Sequence, residues 1–273
     1  MSDGTGAEVI VVDDVHYWYA GASRPALTGT SLRLAAGEVL GVVGPNDAGK
    51  TTLCLAASGL APNAIGGRLE GDVRLGGDKT TDLRPFELAQ RVGILFQNAS
   101  TQLSGTTATV WEEVAFGPRN LGLPVGEVVE RVGWSLDVLQ LHDLASRDPM
   151  RLSGGQGQLV ALAAVLALQP AALVLDEPTS QLDPIGTRLV GTAIGRLAET
   201  GTAILVVEHK ADLLLALAGR VVLMDGGRVA ATGSPAEILG DPRTAQAGVE
   251  PPARVRLVRA LEEAGLPPSL LPA

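Results

Sequence analysis

The sequence predicts an α/β fold in which a parallel β-sheet lies beside a second, antiparallel sheet, with a helical insertion between two of the parallel strands. Three observations carry this expectation. The first is a set of four short apolar, β-branched runs, "EVLGVV", "RVGILF", "AALVLD" and "TAILVVEH", whose composition suits strands covered on both faces of a parallel sheet. The second lies at residues 8–77, where "EVIVVDDVHYWYA" and "SLRLAAGE" read as strands with turns and "GRLEGDVRLGG" reads as a hairpin-like pair, together suggesting the antiparallel sheet. The third is a change of period between about 100 and 150, where "TVWEEVAFGP" and "VGEVVERVGWSLDVLQL" read as helices punctuated by Gly and Pro.

Near the end of the chain, "ARVRLVRALEEAGLPP" follows Pro251 and Pro252 and reads as one amphipathic helix with Gly265 as its stop. A chain of 273 residues with 46% hydrophobic content has ample material for a buried core.

Composition excludes several classes of function. The formal net charge is −9, and no segment offers the basic stripe that neutralises a nucleic-acid backbone, so no nucleic-acid partner is expected. The longest apolar run, "LVALAAVLAL" at 159–168, falls short of the roughly 18 residues that a membrane-spanning helix needs. The start, "MSDGTGAE", is polar and acidic, unlike a secretory leader, and a soluble cytoplasmic chain is expected. A single cysteine, Cys54, rules out an intramolecular disulfide and a Cys-rich metal site, and is expected to be a small buried apolar residue.

In open α/β sheets, ligands collect outside the carboxyl ends of the strands. The candidates for chemistry are therefore the loop at Gly44, Gln97, Asp176 with Glu177, and His209. The stretch "GPNDAGKT" fits Gly-x4-Gly-Lys-Thr, after an expected strand and before an expected helix, which is the context a phosphate loop requires. There the amides of Gly44, Pro45, Asn46, Asp47, Ala48, Gly49, Lys50, Thr51 and Thr52, apart from the imide of Pro45, can surround a phosphate. Lys50 can reach the β and γ oxygens, and the Thr51 hydroxyl can bind Mg²⁺. The chain holds only three lysines, which makes a chance match at Lys50 improbable.

In "LVLDEP", Asp176 is suited to hold Mg²⁺ through water and Glu177 to polarise the water that attacks a γ-phosphate. Alone, such a pair could equally cap a helix or end a solvated strand; a neighbouring phosphate loop favours the chemical reading. In "RLSGGQGQLVALAAVLALQP", Ser153, Gly154, Gly155 and Gln156 stand at a helix start and form a second anion-binding terminus. Unless the two termini lie close together, the second must serve a neighbour's nucleotide. Of three histidines only His209 ends an expected core strand. Gln97 is ambiguous by itself, and Tyr19 could either stack on a purine or simply pack.

Over residues 8–241 these elements, in this order, resemble the ATP-binding subunits of ATP-binding-cassette transporters. The resemblance implies a RecA-like P-loop ATPase core with an antiparallel β-subdomain and an inserted helical subdomain at about 100–165, followed by a helical extension at 242–273. It implies ATP and Mg²⁺ as ligands, with two cassettes paired head to tail so that each ATP lies between the Walker A loop of one and the LSGGQ segment of the other. Carried over, Lys50 and Thr51 bind phosphate and Mg²⁺, Asp176 is the Walker B acid and Glu177 the catalytic base. His209 is the switch histidine, Gln97 belongs to the Q-loop and contacts the metal, Ser180 to Asp183 form the D-loop, and Tyr19 stacks on adenine.

Within that family, "LFQNASTQLSGTTATVWEEVAFGPRNLGLP", with its second glutamine Gln102, and "EPPARVRLVRALEEAGLP" are similar to segments of energy-coupling factor importers, including the cobalt and nickel type. This likeness implies a second ATPase, a transmembrane coupling protein and a small membrane protein that captures a vitamin or metal ion. The ATPase would then lie peripherally on the cytoplasmic face of the membrane. The alternatives are the ATPase of a conventional importer or exporter, and a non-transport cassette ATPase of DNA repair or translation. The latter usually carries a coiled-coil insertion, zinc motifs or two cassettes, none of which this sequence has.

Three positions depart from the family pattern: Asp47 replaces Gly or Ser, Gly157 replaces a basic residue, and Gln181 replaces a small residue. None removes a catalytic group. Because Asp tolerates positive φ, Asp47 is expected to occupy a turn position usually given to Gly, with its charge pointing away from the phosphates.

Overall fold

The structure, a computed structural model, describes residues 7–98 and 101–264. In chain order the strands are β1 (Glu8–Trp18), β2 (Leu27–Ala35), β3 (Val39–Val43), β4 (Arg68–Leu75), β5 (Asp78–Lys79), β6 (Val92–Leu95), β7 (Ala172–Asp176), β8 (Ala203–Val207), β9 (Arg220–Asp225) and β10 (Arg228–Gly233). The helices are α1 (Lys50–Ala57), α2 (Leu60–Asn63), α3 (Pro85–Arg91), α4 (Val110–Asn120), α5 (Val125–Val138) and α6 (Gly154–Leu166), then α7 (Pro184–Glu199), α8 (Ala211–Leu217), α9 (Pro235–Gly240), α10 (Pro242–Gln246) and α11 (Ala253–Glu263).

The four apolar runs form β3, β6, β7 and β8, which lie side by side and parallel in a six-stranded sheet of order β10-β9-β3-β8-β7-β6. β3, β7 and β8 are buried at every position, as strands covered on both faces must be. Two strands beyond the four expected complete the sheet: β9 runs parallel to β3, and β10 returns antiparallel along β9. β10 alternates exposed with half-buried residues at the sheet edge, so its hydrophobic signal in sequence is weak.

Alternate residues of the central strands feed two separate cores. Leu173, Leu175, Ile204 and Val206 point to the side covered by α4, α5, α6 and α7. Val174, Leu205, Val207 and Val42 point to the opposite side, against α1 and the antiparallel sheet. Cys54 of α1 is buried in this second core, and burial pushes its thiol pKa well up.

The antiparallel sheet has the order β2-β1-β4-β5. Here one expectation is corrected: "GRLEGDVRL" is not a hairpin but the single strand β4, and the turn lies at Gly76 and Gly77, where β4 passes to β5. Gly71 marks a close backbone approach instead. Its φ is +86°, and a Cβ there would stand 2.3 Å from the Asp14 carbonyl oxygen, beside the register shift in β1 between Asp13 and His16.

Helices α4, α5 and α6 lie in the chain between the neighbouring strands β6 and β7. Thr109 and Glu112 start α4 with reciprocal side-chain-to-backbone bonds, and the helix runs through Pro118 rather than ending there. α11 is tied down at its start, where the Ala253 N–H donates to Asp212 Oδ1 at 3.0 Å. The stop assigned to Gly265 lies outside the described residues.

Candidate functional site

Because β3, β8, β7 and β6 are neighbours, their carboxyl ends bring the Gly44 loop, His209, Asp176 with Glu177, and Gln97 to one sheet edge. Backbone geometry makes the loop. Gly44 has φ +154°, and a Cβ would lie 2.3 Å from the Met224 carbonyl oxygen of β9. Gly49, at φ +91°, precedes α1, and its Cβ would lie 2.7 Å from the Ala26 carbonyl oxygen. Asp47 takes φ +63° and is exposed, as its residue type allows.

α1 starts without a side-chain cap and without an acid in its first turn. No side chain among the described residues caps its leading N–H groups, and the helix dipole favours an anion there. Lys50 is almost fully buried, and its Nζ donates to the Gly44 and Pro45 carbonyls at 2.9 and 2.7 Å. Burial lowers the Lys50 pKa, and the facing carboxylates of Glu177, Asp176 and Asp47 act in the opposite direction.

Asp176 is 2% exposed, and among the described residues its Oδ1 has no hydrogen-bond partner. Burial raises its pKa; the Thr51 side chain opposes the shift, Glu177 adds to it, and Lys50 and His209 oppose it. A buried carboxylate oxygen without a donor is costly unless something satisfies it. Next to it, Glu177 has φ +51° and its N–H continues the ladder to the Val207 carbonyl at 3.0 Å. Its carboxylate is gripped twice, by Gln97 Nε2 at 2.8 Å and by His209 Nε2 at 3.0 Å.

A cleft of about 990 Å³ runs along these residues, lined by Tyr19, Asn46, Asp47, Gly49, Lys50, Thr51, Thr52, Gln97 and Glu177. Tyr19 is partly exposed and its hydroxyl meets Thr52 Oγ1 at 3.0 Å, while the neighbouring Tyr17 is wholly buried and packs edge-on against it. The two tyrosines therefore divide core packing from cleft lining between them.

The segment at Ser153, Gly154, Gly155 and Gln156 does not line this cleft. Ser153 caps α6: its hydroxyl accepts the Gln156 N–H at 3.3 Å, and the Gln156 side chain accepts the Ser153 N–H at 3.1 Å. The 180–183 segment lies beside it. A Cβ on Gly154 would stand 2.7 Å from Gln181 Oε1, the far end of a flexible side chain that lies over this glycine. Ser180 donates its N–H to the Glu177 carbonyl at 3.2 Å, and Asp183 caps α7 through the Gly186 N–H at 2.7 Å.

Several residues at the site were not among the candidates. Arg24, Pro25 and Ala26, with Gly226 and Gly227 of the β9–β10 turn, complete the cleft wall, and only the sheet order brings them there. Glu208 and Lys210 flank His209 and bond to the 179–187 segment. The rarity of lysine was a signal for Lys210; Glu208 had none. Gln102 staples the chain back onto β6, accepting from the Phe96 N–H at 3.1 Å and donating to the Ile94 carbonyl at 2.7 Å. Buried Glu113 accepts from Ser104 and Thr107 and so shapes the same connection.

The chain is similar in sequence and fold to known proteins. The family model described as ABC transporter matches residues 27–180. The energy-coupling factor transporter ATP-binding protein EcfA1 of Bacillus subtilis is 38% identical over 263 residues, covering 95% of this chain and 90% of that one. Among solved structures, cbiO1 from Clostridium perfringens, described as part of the ABC transporter complex cbiONQ, superposes with a TM-score of 0.76 at 28% identity, covering 95% of this chain and all of that one. The ATP-binding cassette MJ0796, described as a dimer in a post-hydrolysis state bound to ADP and Pi, superposes with a TM-score of 0.72 at 26% identity, over 83% of this chain and 98% of that one. A phosphate loop after β3, a paired acid at the end of β7 and a nearly full-length likeness to ATP-binding cassettes converge on one assignment: this chain belongs to the ABC transporter family, as an ATP-binding subunit whose hydrolysis of ATP is coupled to transport.

Proposed function

We propose that the chain is an ATPase of an energy-coupling factor importer that carries a vitamin or a transition-metal ion. The observation supporting this most strongly is the 38% identity to EcfA1, which spans nearly all of both chains. In this reading the chain pairs with a second ABC ATPase and docks on a transmembrane coupling protein that accompanies a substrate-capturing membrane protein. It sits peripherally on the cytoplasmic face. No helix among the described residues is long and apolar enough to cross a membrane, so attachment falls to those partners.

Each residue then has a chemical task. The amides from Gly44 to Thr52 (Pro45, an imide, excepted) hold the phosphates at the α1 terminus, and Lys50 turns from the loop carbonyls to the β and γ oxygens. Tyr19 stacks on adenine. Thr51, Gln97 and the unpartnered Asp176 Oδ1 suit a hard cation held by oxygen atoms, through water in the case of Asp176. No group of three or more His, Cys, Asp or Glu side chains among the described residues could hold a metal alone, so Mg²⁺ would need oxygen atoms of the nucleotide as well. Mg²⁺ held by these residues would neutralise negative charge on the phosphates. Glu177 polarises the attacking water, while His209 and Gln97 hold its carboxylate in place.

That the Ser153–Gln156 segment does not line the cleft of its own chain supports a head-to-tail pair in which that segment closes on the neighbour's ATP. Closure on binding ATP and reopening after hydrolysis follow from the different affinities of the two states for nucleotide.

The test is mass spectrometry of what co-purifies with the tagged chain, expressed in its own host, from detergent-solubilised membranes. A coupling protein together with a small membrane protein is the expected result, and the latter leads to the solute. Recovery with a conventional permease, or in the soluble fraction alone, overturns the importer subclass.

A further inference from the structure

We propose that Glu208 and Lys210 are positioning residues that hold His209 against Glu177 and tie that contact to the 179–187 segment. This rests on the reading of Glu177 and His209 as catalytic partners. Glu208, at the end of β8, is 3% exposed. A carboxylate so deeply buried is tolerated only when donors surround it, and three do. The N–H groups of His209 and Lys210 reach Oε1 at 2.8 and 3.1 Å, and the hydroxyl of fully buried Thr179 reaches Oε2 at 2.5 Å.

A closed ring results. Thr179 follows Glu177 by two residues, Glu208 precedes His209 by one, and the Glu177–His209 bond shuts the circuit. The backbone carrying the imidazole is therefore registered to the backbone carrying the carboxylate by a bond buried beneath both.

On the other side of His209, Lys210 Nζ donates to the Thr179 carbonyl at 2.9 Å and to Thr187 Oγ1 at 2.7 Å, with the Leu182 carbonyl at 3.4 Å. The 208–210 segment thus grips 179–187 through Thr179 and Thr187, and Ser180 to Asp183 lie between those grips. Displacement of Ser180–Asp183 by a neighbouring cassette pulls on Lys210 and Thr179, and so on the His209–Glu177 distance. These bonds are not a helix cap, because α8 starts at Ala211 with no side-chain cap and Glu208 accepts instead from the His209 and Lys210 N–H groups that precede it.

The experiment uses the full chain with ¹⁵N-labelled histidine, whose three rings are resolved by NMR. ATP turnover and the binding of a fluorescent ATP analogue are measured on the same samples. Thr179→Val, Glu208→Ala and Lys210→Met are each expected to shift the His209 ring signals and leave those of His16 and His142 unmoved. They are also expected to lower kcat by about tenfold or more with KM within about twofold, and Glu208→Gln to recover much of the loss. Folded Thr179→Val and Lys210→Met proteins with wild-type His209 signals and wild-type kcat overturn the proposal. Those two variants decide it even if Glu208→Ala fails to fold by circular dichroism. Absence of ATP turnover in the wild-type chain would instead sink the catalytic reading, and the ring signals would still report whether these residues set the His209 contact.

Discussion

His209 Nε2 lies 3.0 Å from Glu177 Oε1, while the other oxygen of that carboxylate accepts a 2.8 Å hydrogen bond from Gln97. Three strand ends, β6, β7 and β8, are thereby joined through one side chain whose backbone is left-handed at φ +51°. Both carboxylate oxygens are already oriented by the protein, so the proposed activation of a water by Glu177 would require little further reorganisation.

Replacing the acid tests this directly. Glu177→Gln keeps the size and the accepting oxygen but loses the basicity, so turnover should fall by about 100-fold or more. Affinity for ATP should stay within about twofold, because phosphate binding rests on the α1 terminus. Wild-type turnover in this variant, measured by phosphate release, removes Glu177 from the role of base.

Asp47 offers a second test. Its left-handed backbone is as comfortable for glycine, so Asp47→Gly should fold normally and bind ATP within about threefold of wild type. Asp47→Ala should lose about 1 kcal/mol of stability, because alanine pays for φ +63° with no polar side chain to offset it. An ATP affinity about tenfold higher in the glycine variant, equal to about 1.4 kcal/mol, would show that the exposed acid opposes the phosphates after all.

Asp176 ties function to stability. Burial raises its folded pKa above the unfolded value, so the folded chain binds more protons between the two values and loses stability as pH rises through that window. Asp176→Asn removes the buried charge. At neutral pH, without nucleotide, it should melt about 2–4 °C higher, or about 1 kcal/mol more stable, while losing Mg²⁺-dependent turnover. The advantage should vanish at pH below the unfolded carboxylate range, where both side chains are uncharged. Calorimetry across pH checks the sign; a destabilised variant at neutral pH contradicts it.

For Tyr19, ring and hydroxyl are separable. Tyr19→Ala should weaken ATP binding about fivefold to tenfold, for loss of roughly 1 kcal/mol of stacking, and Tyr19→Phe should bind nearly as wild type despite losing the Thr52 contact. Equal losses in the two variants, read by titration calorimetry, would assign the effect to the hydroxyl.

Much of this site could be read from sequence because its parts are local. A phosphate loop needs Gly44, Gly49, Lys50 and Thr51 at fixed short spacing, and a strand that ends in "LDE" needs nothing beyond its own residues. Strand ends converge in a parallel sheet whatever the connections between them, so Gln97, Asp176, Glu177 and His209 could be named together before their distances were known.

"GRLEGDVRL" misled for the complementary reason: Gly71 looks like a turn until the Asp14 carbonyl of β1 is seen 2.3 Å from where a Cβ would be. Glu208 is similar, since nothing near it in sequence shows that Thr179 lies beneath it. By itself, then, the sequence determined the four central parallel strands, the loop and the chemistry of the strand ends, because short-range spacing and hydrophobic period dictate them. Tertiary structure alone decided which groups share a carboxylate, that Asp176 Oδ1 has no donor among the described residues, and that the Ser153 segment does not line the chain's own cleft. Those facts depend on contacts between residues tens of positions apart, which no local pattern encodes.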